Sequence, residues 1–147
     1  MADSPITACP HCGTRNRVPA AAKGLPRCGK CQELLPWLTD ATDADFTEIV
    51  EQSALPVLMD LWAPWCGPCR VVAPGVARAA EAYAGRLKVV KVNVDIAQQT
   101  AVRYQAQSIP LLLLLDKGAV RARQVGAVPT DALLRWVDQS LALSPAA

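Results

Sequence analysis

Six cysteines constrain this chain more than any other feature, because they fall into three Cys-x-x-Cys pairs: Cys9/Cys12, Cys28/Cys31 and Cys66/Cys69. In a chain of the reducing cytosol such spacing points to metal binding or thiol redox chemistry rather than to a disulfide framework. The first four cysteines lie within residues 1–35, a stretch rich in Cys, Gly, Pro and Arg with few large apolar residues and no helical or alternating period. A segment of this kind cannot fold on apolar burial alone and needs a staple. The remaining pair lies in a periodic, apolar stretch, so the six divide into four plus two.

The first four cysteines follow the pattern C-x2-C-x15-C-x2-C. Two-residue gaps let both thiolates of a knuckle face one ion, and the intervening loop brings two knuckles into a tetrahedron. Four thiolates select zinc first, with an iron centre as the lesser choice. The alternatives are two disulfides or four free thiols. His11 sits inside the first knuckle, but the four cysteines complete the shell, so it is expected outside it. Gly13 and Gly29 are expected to serve the tight turns. Residues 1–35 carry a charge balance of +3 and the rest −1, within a net charge of +2. Five scattered cations without an aromatic or basic stripe do not suit nucleic acid.

From about Leu35 the sequence is periodic, and 52% of the whole chain is hydrophobic. Strands are expected over residues 36–39, 57–62, 87–94, 110–115 and 119–125. Helices are expected from Thr42 or Asp43 (burying Phe46, Ile49 and Val50), after Cys66, over residues 97–105, and from Thr130 or Asp131 (burying Leu134, Val137 and Leu141). The helix after Cys66 buries Cys69, Val72, Ala73, Val76, Ala80 and Tyr83. Pro74 kinks it and Gly85 ends it. The order β-α-β-α-β-α-β-β-α implies an α/β sheet, parallel at first and closed by an antiparallel hairpin turning at Asp116-Lys117-Gly118. The most apolar stretch, residues 54–76, is interrupted by Asp60, Arg70 and four prolines. It falls short of the ~18 residues a membrane span needs. The start, Met1-Ala2-Asp3-Ser4-Pro5, has neither the basic nor the apolar region of a secretory signal, so a soluble cytoplasmic protein is expected.

Cys66 falls just after a strand, at the start of a helix, where unpaired backbone N–H groups and the positive helix end stabilise a thiolate. Cys69 lies one turn in, with its sulfur beside that of Cys66 and its own position more buried. Cys66 can attack a substrate disulfide, and Cys69 then attacks the Cys66 sulfur and releases the reduced substrate. Pro68 suits a first-turn position, where no N–H is needed. Taken alone, the pair could also be two buried apolar residues or half of a metal site.

The run Trp62-Ala63-Pro64-Trp65-Cys66-Gly67-Pro68-Cys69-Arg70 resembles the active-site signature of thioredoxins, and the resemblance extends over residues 36–147. It implies the thioredoxin fold, a central mixed sheet flanked by helices. It places Asp60 as a buried acid behind the pair, with Lys91 near it, and Pro74 as a helix-kinking proline. Ile109-Pro110 becomes a cis-proline site, Gly118 a hairpin glycine and Gly126 a substrate-surface glycine. The four-cysteine head is similar to that of the thioredoxin-2 subfamily, giving a zinc-ribbon-like module over residues 1–35 and a catalytic domain over 36–147.

The implied activity is reduction of protein disulfides by Cys66 and Cys69, with Asp60 as proton acceptor and thioredoxin reductase as the source of electrons. Substrate would meet Trp65, Gly67, Pro68, Ile109, Pro110 and Gly126, with Trp62 in the core. Cys9, Cys12, Cys28 and Cys31 would hold one structural zinc per chain, with no organic cofactor, no nucleic-acid or membrane partner, and a monomeric state. The competing reading is a zinc-ribbon protein-binding module with a redox-sensing role. Two residues depart from the family pattern: Leu111 stands where threonine is usual, and Leu61 where phenylalanine is common.

Overall fold

The computed structural model describes residues 5–22 and 24–142. Residues 1–4, on which the expectation about a leader rests, and Lys23, part of the head's charge balance, lie outside them. Two sheets form. The small one pairs β1 (Ile6–Ala8) with β2 (Arg15–Arg17), antiparallel, with Thr7 opposite Asn16. The large one has five strands: β3 (Leu38–Asp40), β4 (Val57–Trp62), β5 (Lys88–Asn93), β6 (Leu111–Asp116) and β7 (Ala119–Val125). Their spatial order is β3-β5-β4-β6-β7. The first three are parallel and the last two antiparallel to their neighbours, the mixed sheet expected. The β6–β7 turn places Lys117 at φ 52° and Gly118 at φ 82°. Two successive positive φ values match the right-handed twist of a hairpin.

β4 is the central strand, and Leu58, Met59, Asp60 and Leu61 are wholly buried. Side chains alternate across a strand, so Met59 and Leu61 share one face and Leu58 and Asp60 the other. On the first face they meet Phe46, Ile49, Val50 and Tyr104. On the second lie α1 (Gly67–Ala82) and α3 (Thr130–Leu141), which bring Val72, Val76 and Val137 onto Leu58, Leu112 and Leu114. Each buried aliphatic side chain contributes roughly 1.5–3 kcal/mol. α1 crosses α3 closely at Gly75, where a Cβ would lie 3.1 Å from Thr130 Oγ1 and 3.3 Å from Leu133 Cδ2. The departures Leu61 and Leu111 are direct cross-strand partners, both wholly buried in one cluster. A smaller residue at one position and a larger apolar one at the other conserve volume.

Several local expectations are corrected. The helix from Thr42 or Asp43 is a single π-helical turn, Thr47–Glu51. Asp43 instead serves α2 (Gln98–Arg103), accepting hydrogen bonds from the amides of Gln99 and Thr100 and from Thr100 Oγ1 at 3.1, 2.8 and 2.7 Å. Those amides are the ones an N-cap side chain satisfies, and α2's own N-cap is Ala97, which has none to offer. α3 starts behind Pro129 and fully buries Leu133 and Val137, with Leu134 and Leu141 only partly covered. In α1, Ala73 is half-buried while Gly75 and Ala79 are buried.

The head packs on the body through a cluster of Cys9, Val18, Cys28, Leu35 and Trp37. Beneath it, Lys88 of β5 is 1% exposed. Its Nζ lies 4.4 Å from the Trp37 ring centroid and donates to the Ile49 carbonyl at 2.6 Å. Burial pushes its pKa down to about 8, against the pull of Glu48. A carbonyl at the end of the π-turn thus gains the donor that a continued helix would supply. Among the described residues, no helix is long and apolar enough to cross a membrane.

Candidate active site and four-cysteine cluster

Cys66 is the N-cap of α1, with φ −87° and ψ 111°, and its Sγ accepts a hydrogen bond from the Cys69 amide at 3.2 Å. The helix therefore aims an otherwise unpaired N–H at this sulfur, the arrangement that favours a thiolate. Gly67 and Pro68 occupy the first turn, and Pro68 forfeits no hydrogen bond there. Cys66 and Cys69 form a disulfide, with Cα atoms 5.3 Å apart. Their exposures are 4% and 3%, so burial hardly distinguishes them; the N-cap position does.

The Ile109–Pro110 peptide is cis, and the Ile109 carbonyl oxygen lies 3.7 Å from Cys66 Sγ. Gly126 donates its amide to the Pro110 carbonyl at 2.9 Å with φ 91°, and nothing crowds its Cα. Ile109, Pro110 and Gly126 thus come together beside the pair. Trp65 is 67% exposed at its rim. Trp62, expected in the core, is half-buried beside Ala63, Cys66 and Cys69 because it ends β4 at the site.

Asp60 is wholly buried, and neither carboxylate oxygen has a hydrogen-bond partner among the described residues. Burial raises its pKa to about 6, opposed by Lys91, its register partner on β5. The Lys91 ammonium sits 4.5 Å from the Trp62 ring centroid.

Sequence reasoning missed Asp95, whose carboxylate oxygens accept from Trp65 Nε1 at 3.2 and 3.0 Å. Arg70, which the sequence reading names only as the end of the signature run, donates its guanidinium to the Pro64 carbonyl at 2.6 Å. Asp95 was findable: β4 and β5 are parallel neighbours, and residues just past parallel strands meet at their carboxyl ends.

The head brings Cys9, Cys12, Cys28 and Cys31 together, all four Sγ within 4.8 Å of one another. The Cys9–Cys31 and Cys12–Cys28 separations are each 3.6 Å. A tetrahedral ion with sulfur bonds of about 2.3 Å spaces its sulfurs by about 3.8 Å, so this donor set fits one. The two knuckles repeat each other. Gly13 and Gln32 donate their amides to the carbonyls of Cys9 and Cys28, each at 2.9 Å. Both have positive φ, 78° and 67°. The turn residue of the second knuckle is therefore Gln32, not Gly29, whose amide instead donates to Asn16 Oδ1 at 3.0 Å. Backbone N–H groups of Cys31 and Lys30 donating to the Cys28 sulfur pull its pKa down to about 6. For Cys31, the amide of Glu33 favours the thiolate, but burial and the Cys9, Cys12 and Cys28 sulfurs push its pKa up to about 12. A full set of four thiolates thus calls for a cation. His11 stays outside, its Nε2 4.0 Å from Glu33 Oε2.

The thioredoxin family profile matches residues 38–139. Thioredoxin of Haemophilus influenzae is 46% identical over 99 residues, covering 67% of this chain and 92% of that protein. Thioredoxin 1 of Synechococcus elongatus is 47% identical over 100 residues, covering 68% and 94%. Thioredoxin C-3 of Corynebacterium nephridii is 37% identical over 139 residues, covering 92% and 95%, so that match runs into the cysteine head. With its Cys66–Cys69 pair on the first turn of α1, this chain belongs to the thioredoxin family and is a protein disulfide reductase of the thioredoxin type.

Proposed function

We propose that the protein is a thioredoxin-2-type reductase of cytoplasmic protein disulfides, a monomer whose residues 1–35 form a zinc module and 36–147 the catalytic domain. The Cys66 sulfur at the helix N-cap, beside the cis Ile109–Pro110 bond, carries this reading. Cys66 thiolate attacks one sulfur of the substrate disulfide, forming a mixed disulfide and releasing the other sulfur as a thiolate. Asp60 takes the Cys69 proton. Cys69 then attacks the Cys66 sulfur, closing the internal disulfide and releasing the second substrate sulfur. Two electrons have moved to the substrate, and thioredoxin reductase restores them. Trp65, Gly67, Pro68, Ile109, Pro110 and Gly126 receive the substrate, whose extended chain can bond to backbone at Ile109.

One zinc per chain, held by Cys9, Cys12, Cys28 and Cys31, is the resident ion, with no organic cofactor. It supplies folding energy to a head with little core. No nucleic acid or membrane takes part.

Two measurements test the reading. Thiol-driven insulin reduction is expected to fall at least about a thousandfold in Cys66→Ser, because a hydroxyl is a poor nucleophile at neutral pH. Equal rates would sink the mechanism. Protein purified without added metal should hold one zinc and, once reduced and denatured, six thiols. Disulfides among the first four cysteines would replace the zinc module by a redox element.

A further inference from the structure

Asp60 is sealed from solvent, yet the proposed mechanism requires it to gain and lose a proton in every turnover. Asp60 projects on the α1 face of the sheet, with uncharged Leu112 opposite it on β6 and Lys91 beside it on β5. Lys91 in turn lines a cleft of 660 Å³. The floor of that cleft is β3 and the α1 residues Ala77, Ala80 and Glu81, and its outer wall is the head, from Pro5 through β1 to Cys9 and Pro10. The small side chains Ala77 and Ala80 leave the space open. Thr7, Thr39, Asp40, Glu81 and Lys91 make it polar, and a space of this size and polarity holds water.

We infer that the N-terminal head is the outer wall of the solvent route to the buried acid, so that the seating of β1 and the first knuckle sets how readily Asp60 exchanges its proton. The inference rests on the proposed role of Asp60 only for its effect on turnover; the titration of Asp60 is a property of the fold. The charged groups facing the route are Asp40 of β3, Glu81 of α1 and Lys91 of β5. Among the described head residues that line it, none carries a charged side chain, and the Cys9 sulfur belongs to the four-cysteine cluster. The head therefore acts chiefly by excluding or admitting water, which alters the cost of the Asp60 charge. A head that lifts hydrates Lys91 and Asp60 and lowers the pH at which Asp60 ionises. A cleft filled with apolar bulk raises it.

The test reads Asp60 directly, by carboxyl carbon-13 NMR titration of the reduced, full-length protein. Ala8→Leu fills the cleft from the exposed head strand, and Ala77→Leu fills it from α1. Each is expected to move the Asp60 midpoint up by about half a pH unit or more, with metal content and amide spectrum otherwise those of the wild type. The acid limb of insulin reduction should move with it. A midpoint unmoved in both folded variants overturns the inference. A shift with Ala77→Leu but none with Ala8→Leu also overturns it, because the head would then be no wall. A full insulin rate in Asp60→Asn would instead remove Asp60 from the mechanism and leave the titration result standing.

Discussion

The head and the body carry the same Cys-x-x-Cys spacing on opposite backbones. In the head, the chain leaves each knuckle through a residue at positive φ, Gly13 or Gln32, and no helix follows. The 3.6 Å sulfur separations there run between knuckles, Cys9 to Cys31 and Cys12 to Cys28. In the body, the chain runs from Cys66 straight into α1, and the two sulfurs bond to each other. Spacing alone brings sulfurs near. The backbone that follows decides whether they gather with another pair, as a set able to hold an ion, or share an electron pair between themselves.

The sharpest way to break this contrast is to remove one head ligand. If the cluster holds zinc as proposed, Cys28→Ser should lose it and, with it, on the order of 10 kcal/mol of head folding energy. Hydrogen exchange should then show fast amides at Gly13 and Gln32 and unchanged protection in β4 and β5. Loss of both together would make head and body one cooperative unit. Next is the buried acid of the body, Asp60. Its pKa rises from 3.8 to about 6 on folding, so the folded chain binds more protons than the unfolded chain between those values. Stability therefore falls as pH rises through that window. Asn mimics the neutral acid, so Asp60→Asn should stabilise the oxidised protein by about 3 kcal/mol above pH 6 and by little below pH 4. Urea unfolding at the two pH values measures this.

Leu111→Thr should cost about 1–3 kcal/mol, since it puts a hydroxyl and a void against Leu61. The double change with Leu61→Phe should recover part of that in the same assay. The smallest effect is at the junction. Gly85 has φ 83°, and a Cβ there would lie 2.6 Å from Leu34 Cδ1, at the flexible end of a head side chain. Gly85→Ala should cost about 1 kcal/mol, mainly from backbone strain, and an unfolding midpoint unchanged by it would show that this turn tolerates a Cβ at positive φ.

Much of the fold was legible because its signals are local. The apolar run of β4, the Lys117-Gly118 turn and the helix start at Cys66 each follow from a few adjacent residues. The four-plus-two division followed from spacing. What escaped depends on contacts far apart in the sequence. Asp43 looked like the cap of its own helix and caps α2 instead. Asp95 holds Trp65 only because β4 and β5 end side by side. In α3, residues 133 and 134 both fit a helical period, and only the approach of Gly75 selects Leu133. Gln32 escaped for a different reason: Gly29 stood nearby, and residue type outweighed position in the turn.

Lys88 gives the junction a chemical clock. Its amine, 1% exposed beneath Trp37, cannot be reached by an acylating reagent while Trp37 is seated. The rate at which Lys88 is tagged, compared with the exposed lysine Lys117, therefore counts how often the chain around Trp37 opens in the intact protein, with no probe attached and no residue changed.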